Sequence, residues 1–112
     1  MEIEVKSWLY DILNAIVEIE SFFNDTPREF EKFQKDLKTK RAIERNIEII
    51  GEAMNKLLQL DEKINISNAR RMVDLRNRVI HGYDKVDDGV IWGILKRHLP
   101  RLKKEVEALL PC

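Results

Sequence analysis

Cysteine is almost missing from this 112-residue chain; the single thiol is Cys112. One thiol can neither staple a fold to itself nor build a metal site alone, so a reducing, cytoplasmic compartment is expected. Glycine and proline are also scarce, at four and three residues, which argues against a turn-rich sheet protein. Net charge is absent too, because twenty basic residues balance twenty acidic ones. Attraction of the whole molecule to nucleic acid is therefore excluded, and any anion site must arise from local clustering. No window approaches the roughly 18 apolar residues that cross a bilayer. The opening MEIEVKSWLY has no signal-peptide core, so no membrane association is expected. Neither His81 nor His98 has a Glu three residues before it, and no His pair stands four apart. Walker-type and glycine-rich dinucleotide loops are missing as well, so no metal or cofactor is expected.

What is present is helical patterning. Apolar residues form 44% of the chain and charged residues 36%, a balance that suits amphipathic helices with solvated outer faces. The length fits one domain, residues 1–112. From about Glu4 to Phe23, Val5, Trp8, Leu9, Ile12, Ile16 and Ile19 recur at three- and four-residue steps, one stripe of an α-helix. Leu13, Val17 and Phe23 widen that stripe and predict burial on more than one side. Thr26-Pro27 with Glu29 reads as a capping box opening the next helix. The stretch from Arg28 to about Leu60 is too long for one ordinary helix, and its polar run near Asp36 to Lys40 predicts a break. Beyond it Ile43, Ile47, Ile50, Met54, Leu57 and Leu58 form an apolar face. A third helix spans about Asn68 to Ile80, capped by Ser67 or Asn68 and stopped at Gly82. A last helix follows Asp87-Asp88, with a bend expected at Pro100. The fold class read from this pattern is all-α, a four- to five-helix up-and-down bundle.

The functional signal lies in polar residues where the helical wheel asks for apolar ones. On the third helix, Met72, Leu75 and Val79 flank one side of an arc and Ala69, Val73 and Ile80 the other. Arg76 falls between them. A guanidinium stays charged at any ordinary pH, so it must meet a carboxylate, a set of carbonyls or an anionic ligand. A structural ion pair is the plain alternative. Its neighbourhood is basic: Arg70, Arg71, Arg76, Arg78 and Lys85 face only Asp74 and Asp84. His81 closes the helix, and imidazole is the side chain that both gives and takes protons near neutral pH. Arg76 and His81, five apart, point about 140° away from each other on an ideal helix. They converge only if the last turn unwinds or if two subunits meet. On the second helix Asn46 projects into the arc between Ile50 and Ala53, where its amide needs a partner. Arg45, Glu48 and Glu52 flank that arc, and one of these carboxylates could neutralise Arg76.

The segment Arg76-Asn77-Arg78-Val79-Ile80-His81-Gly82-Tyr83 resembles the R-x4-H-x-Y signature of HEPN domains, in their HepT-like branch. RAIERNIEIIGEA, Arg41 to Ala53, is similar to that branch's second-helix motif, and YDILNAIVEIE to its first helix. Val90-Ile91-Trp92-Gly93-Ile94 continues the likeness, which covers nearly the whole chain. A Pro-Trp pair that often opens the family's third helix is replaced here by Ile64-Asn65-Ile66-Ser67.

The resemblance implies a homodimer whose two R-x4-H motifs line one cleft, acting as a metal-independent endoribonuclease. It implies the toxin of a toxin–antitoxin pair, silenced when a minimal nucleotidyltransferase partner attaches AMP to the motif tyrosine. Carried over, Arg76 and His81 are catalytic, Asn77 supports them, and Tyr83 is the modified residue; Asn46 and Glu48, from the second-helix arc, are further supporting candidates. Arg70, Arg71 and Arg78 are candidates for RNA contact. Two other functions fit the residues: a non-catalytic module that binds a nucleotide or a nucleotidyltransferase, and a purely structural helical dimer.

Overall fold

The computed structural model describes residues 2–23, 29–81 and 87–110. The expectations for Thr26-Pro27, Gly82, Tyr83 and Cys112 fall outside them. The described residues form α-helices throughout: α1 (Ile3–Ser21), α2 (Phe30–Lys35), α3 (Leu37–Leu60), α4 (Ala69–His81), α5 (Asp88–Gly93) and α6 (Leu99–Leu109), with a π turn over Ile94–His98. Helix α3 lies between α1 and α4, and α6 returns against α1. The architecture is the expected all-α bundle.

The apolar stripes converge on α3. Ile43, Ile47, Ile50, Met54 and Leu57 meet Leu9, Ile12 and Ile16 of α1 in one fully buried core, completed by Val106 of α6. Each such side chain contributes roughly 1.5–3 kcal/mol by leaving water. The broader stripe expected for α1 is only partly realised: Leu13 and Phe23 pack at the core's margin, but Val17 is 47% exposed. It points away from α3, so α1 is buried along one stripe and solvated behind it.

The break between the second and third helical segments has a definite cause. Asp36 leaves helical geometry and caps α3: one carboxylate oxygen accepts from the Thr39 N–H at 3.0 Å, the other from the Thr39 hydroxyl at 2.6 Å. These bonds to the ionised form, the hydroxyl's first, hold Asp36 below the ordinary carboxylate range. Phe33 and Phe30 of α2 then reach Trp92 of α5 at ring separations of 5.2 and 5.9 Å, tying the short helix to the bundle.

The bend expected at Pro100 is corrected by the structure. The irregularity lies one turn earlier, where the Leu99 N–H donates to the Ile94 carbonyl five residues back. Proline has no N–H for the Lys96 carbonyl and its ring crowds that oxygen. Widening the preceding turn makes room, and Pro100 then sits in the first turn of α6, where its missing donor costs nothing. Among the described residues no helix is long and apolar enough to cross a membrane.

Candidate active site

The start of α4 is fixed by α6. The Ser67 N–H and hydroxyl both donate to one carboxylate oxygen of Glu105, at 2.8 and 3.0 Å. The next residue, Asn68, has φ of 59°, a left-handed conformation that asparagine tolerates better than most residues. Its side-chain amide lies 3.5 Å from His98 Nδ1. These contacts turn the two side chains that the sequence offered as caps toward α6 and the π turn, and among the described residues neither accepts from a first-turn N–H of α4. From there Ala69, Met72, Val73 and Leu75 are buried against the core. The buried arc ends sooner than the wheel suggests: Val79 is partly covered, but Ile80 is 45% exposed.

Arg76 lies between those apolar groups, half-buried as its position predicts. Its stem crosses α3 at Gly51. A methyl group placed on Gly51 would lie 2.7 Å from Arg76 Cγ, nearer still to Arg76 Cβ, and 3.0 Å from the Met72 carbonyl oxygen. The two helices therefore touch backbone to side-chain stem, and only glycine permits it. At the other end of the side chain, Arg76 Nη1 donates to Asn77 Oδ1 at 3.0 Å. Asn77, which the resemblance names as a supporting residue, thus contacts the guanidinium directly. Arg76 Nε is sealed from solvent and has no hydrogen-bond partner among the described residues.

No carboxylate among the described residues pairs with this guanidinium. Glu52 faces Lys56 at 3.6 Å, and half-buried Glu48 forms no ion pair among the described residues. The ion pairs that do form join other cations: Lys40 to Asp88, Arg41 to Glu44, Lys103 to Glu20. Among the described residues, then, no structural ion pair holds Arg76. An arginine left with one neutral amide partner keeps most of its donor capacity for an anion.

His81 is the last residue of α4 and exposed. Because α4 stays regular through it, the separation of about 140° from Arg76 persists within one chain. The last turn does not unwind to bring the pair together. Arg70, Arg71 and Arg78 are exposed on α4, and no ion pair engages them among the described residues. Asn46 is 3% exposed, and its amide nitrogen donates to the Ala42 carbonyl of its own helix at 3.0 Å, leaving Oδ1 without a partner. It lines a shallow hollow of about 190 Å³ with Asp11, Asn14, Ala15, Glu18 and Ile49. That hollow is on the α1 side of α3, whereas Gly51 meets Arg76 on the α4 side. The structure therefore brings together Arg76, Asn77 and Gly51, and sets Asn46 in a different surrounding. Gly51 escaped sequence reasoning, although it stands inside the RNIEIIGEA motif. A lone glycine in a long helical pattern was the available signal, because it weakens a helix unless packing requires it.

The family described as Ribonuclease HepT-like matches residues 12–109. The "Probable ribonuclease HepT" of Thermococcus cleftensis is 37% identical over 105 residues, covering 93% of this chain and 94% of that protein. Two Methanocaldococcus jannaschii proteins, each named "Putative RNase", are 35% identical over 96% of this chain and 88% of theirs, and 36% identical over 93% and 94%. No solved structure is a significant match to the chain.

Proposed function

Because the chain belongs to the HepT-like ribonuclease family, we propose that it is an endoribonuclease whose catalytic groups are Arg76 and His81, working without a metal ion at a cleft shared by two copies. The observation that supports this most is the half-buried guanidinium of Arg76, which among the described residues has no carboxylate partner and no partner for Nε. Metal-free cleavage of RNA needs only groups of this kind. The ribose 2′-hydroxyl loses its proton to a base and its oxygen attacks the adjacent phosphorus. The bond from phosphorus to the 5′-oxygen breaks, and that oxygen takes up a proton. The products are a 2′,3′-cyclic phosphate and a 5′-hydroxyl. Histidine supplies the proton transfers, and a fixed guanidinium stabilises the extra negative charge on phosphorus. Each phosphodiester held in the cleft takes its guanidinium from one protomer and its histidine from the other, and that histidine serves first as the base and then, protonated, as the acid. Arg70, Arg71 and Arg78 are the residues proposed to hold RNA phosphates outside the cleft.

Purified protein incubated with cellular RNA in excess EDTA is expected to cut it and leave cyclic-phosphate ends, and His81→Ala is expected to abolish the cutting. Intact RNA in the presence of folded wild-type protein would instead favour the non-catalytic binding module.

The chain is further proposed to be the toxin of a toxin–antitoxin pair, with a minimal nucleotidyltransferase as antitoxin and Tyr83 as the residue it modifies. Two positions beyond His81, an AMP group would add bulk and negative charge where RNA must enter, competing for Arg76. Co-expression with such a transferase is expected to add the mass of AMP on Tyr83 and to silence cleavage. Unmodified protein, or an adduct on Tyr10, would remove this part of the reading.

A further inference from the structure

We infer that Gly51 is a positioning residue for the ribonuclease site: its missing side chain forms the seat that fixes the stem of Arg76 and so aims its guanidinium. The kinetic part of this inference rests on the ribonuclease reading above; the structural part does not. Arg76 has four side-chain torsions, and a guanidinium free to explore them would be a poor transition-state ligand. Three contacts remove that freedom. Cβ and Cγ lie over the bare Cα of Gly51, so closely that a methyl group there would stand 2.7 Å from Cγ. Ordinary carbon contacts settle at about 3.5–4.0 Å, so any side chain at position 51 displaces the arginine stem by roughly 1 Å. The Met72 carbonyl, in the turn of α4 before Arg76, stands 3.0 Å from the same methyl position, so a side chain at position 51 would press on the backbone of α4 as well as on the arginine stem. The far end is held by Asn77, whose side-chain oxygen accepts from Nη1 at 3.0 Å. Between these anchors Nε is shut away from water.

The test is Gly51→Ala, read in two ways. In a 15N–1H spectrum the Arg76 Nε–H, identified by its loss in Arg76→Lys, is expected to exchange slowly with water in the wild type. It should exchange fast in Gly51→Ala while the backbone spectrum stays folded. On RNA, the same variant is expected to lose about 100-fold in kcat, the usual consequence of a misplacement near 1 Å, with KM close to wild type. Retained protection of Nε–H, or unchanged kcat, overturns the inference. If the wild type itself cuts no RNA, the exchange measurement decides alone, and the ribonuclease reading is what fails. Should Gly51→Ala not fold, Gly51→Ala with Arg76→Gly removes the colliding Cβ and Cγ. Recovery of the fold supports the seat, and persistent unfolding overturns it.

Discussion

Arg76→Met is expected to lose RNA cleavage and, at the same time, to make the folded chain harder to denature. Methionine keeps the Cβ and Cγ that lie against Gly51, so α3 and α4 retain their spacing. It removes a charged head whose Nε is buried without a partner. A buried donor left unsatisfied costs about 1–3 kcal/mol, and replacing a poorly compensated charge by an apolar side chain is often stabilising. Met72 and Val79, one turn before and after on the same face of α4, are buried and partly buried and can offer apolar contact to the new side chain. Asn77, half-exposed, can turn its released oxygen to water. A rise in stability of about 1 kcal/mol is therefore expected, read as a higher urea midpoint at unchanged slope. Cleavage should fall by at least about 100-fold, as when one preorganised donor to a developing oxyanion is deleted. Opposed signs are the distinguishing mark. A side chain kept for packing or for an ion pair would lose stability on removal. One kept for a ligand holds its unsatisfied state at the expense of the fold. A lowered midpoint in Arg76→Met would show that the guanidinium is satisfied within the protein.

How much of this was legible in the sequence follows from which interactions are local. The stripe of α3 was readable because period 3.6 writes one buried face directly: Ile43, Ile47, Ile50, Met54, Leu57 and Leu58 are all buried. The interruption at Asp36 was readable because a polar run there left no apolar stripe to continue, and the Asp36–Thr39 cap is itself a four-residue interaction. Arg76 stood out because it occupies an apolar arc. Contacts between helices were not readable. Periodicity gives the face of α1 that could be buried, yet nothing in it says that Val17 finds no helix to cover it. The flanking carboxylates Glu48 and Glu52 suggested a partner for Arg76, but Glu52 faces Lys56 on its own helix. Which glycine receives an arginine stem depends on how α3 and α4 cross, a property of two segments together. The wide turn before Pro100 shows the same limit: proline forecast an irregularity, while the place of relief was decided by neighbouring turns.

Mixing two inactive proteins, one with Arg76→Met and one with His81→Ala, is expected to restore cleavage. The argument starts from helical geometry. Arg76 and His81 stand five apart on a helix that remains regular through His81, so within one chain they point about 140° apart. A phosphodiester touched by both must therefore take its guanidinium from one protomer and its imidazole from the other. In the proposed dimer a two-fold axis makes two such composite sites, each with Arg76 of one copy facing His81 of its mate. In the mixed dimer one site has lost both groups, while the second keeps both, since each protein contributes the residue it still has. With free subunit exchange half of the dimers are mixed and each has one intact site, so about a quarter of wild-type activity should return. The gain, from background to a readily measured rate, exceeds anything that partial folding defects could produce. Cleavage by pairs within a single chain predicts no recovery at all, because every protomer in the mixture then lacks one of its own two groups. Recovery that fails even though mass spectrometry shows the mixed dimer to be present would overturn the shared cleft, and with it the arrangement of the proposed ribonuclease site.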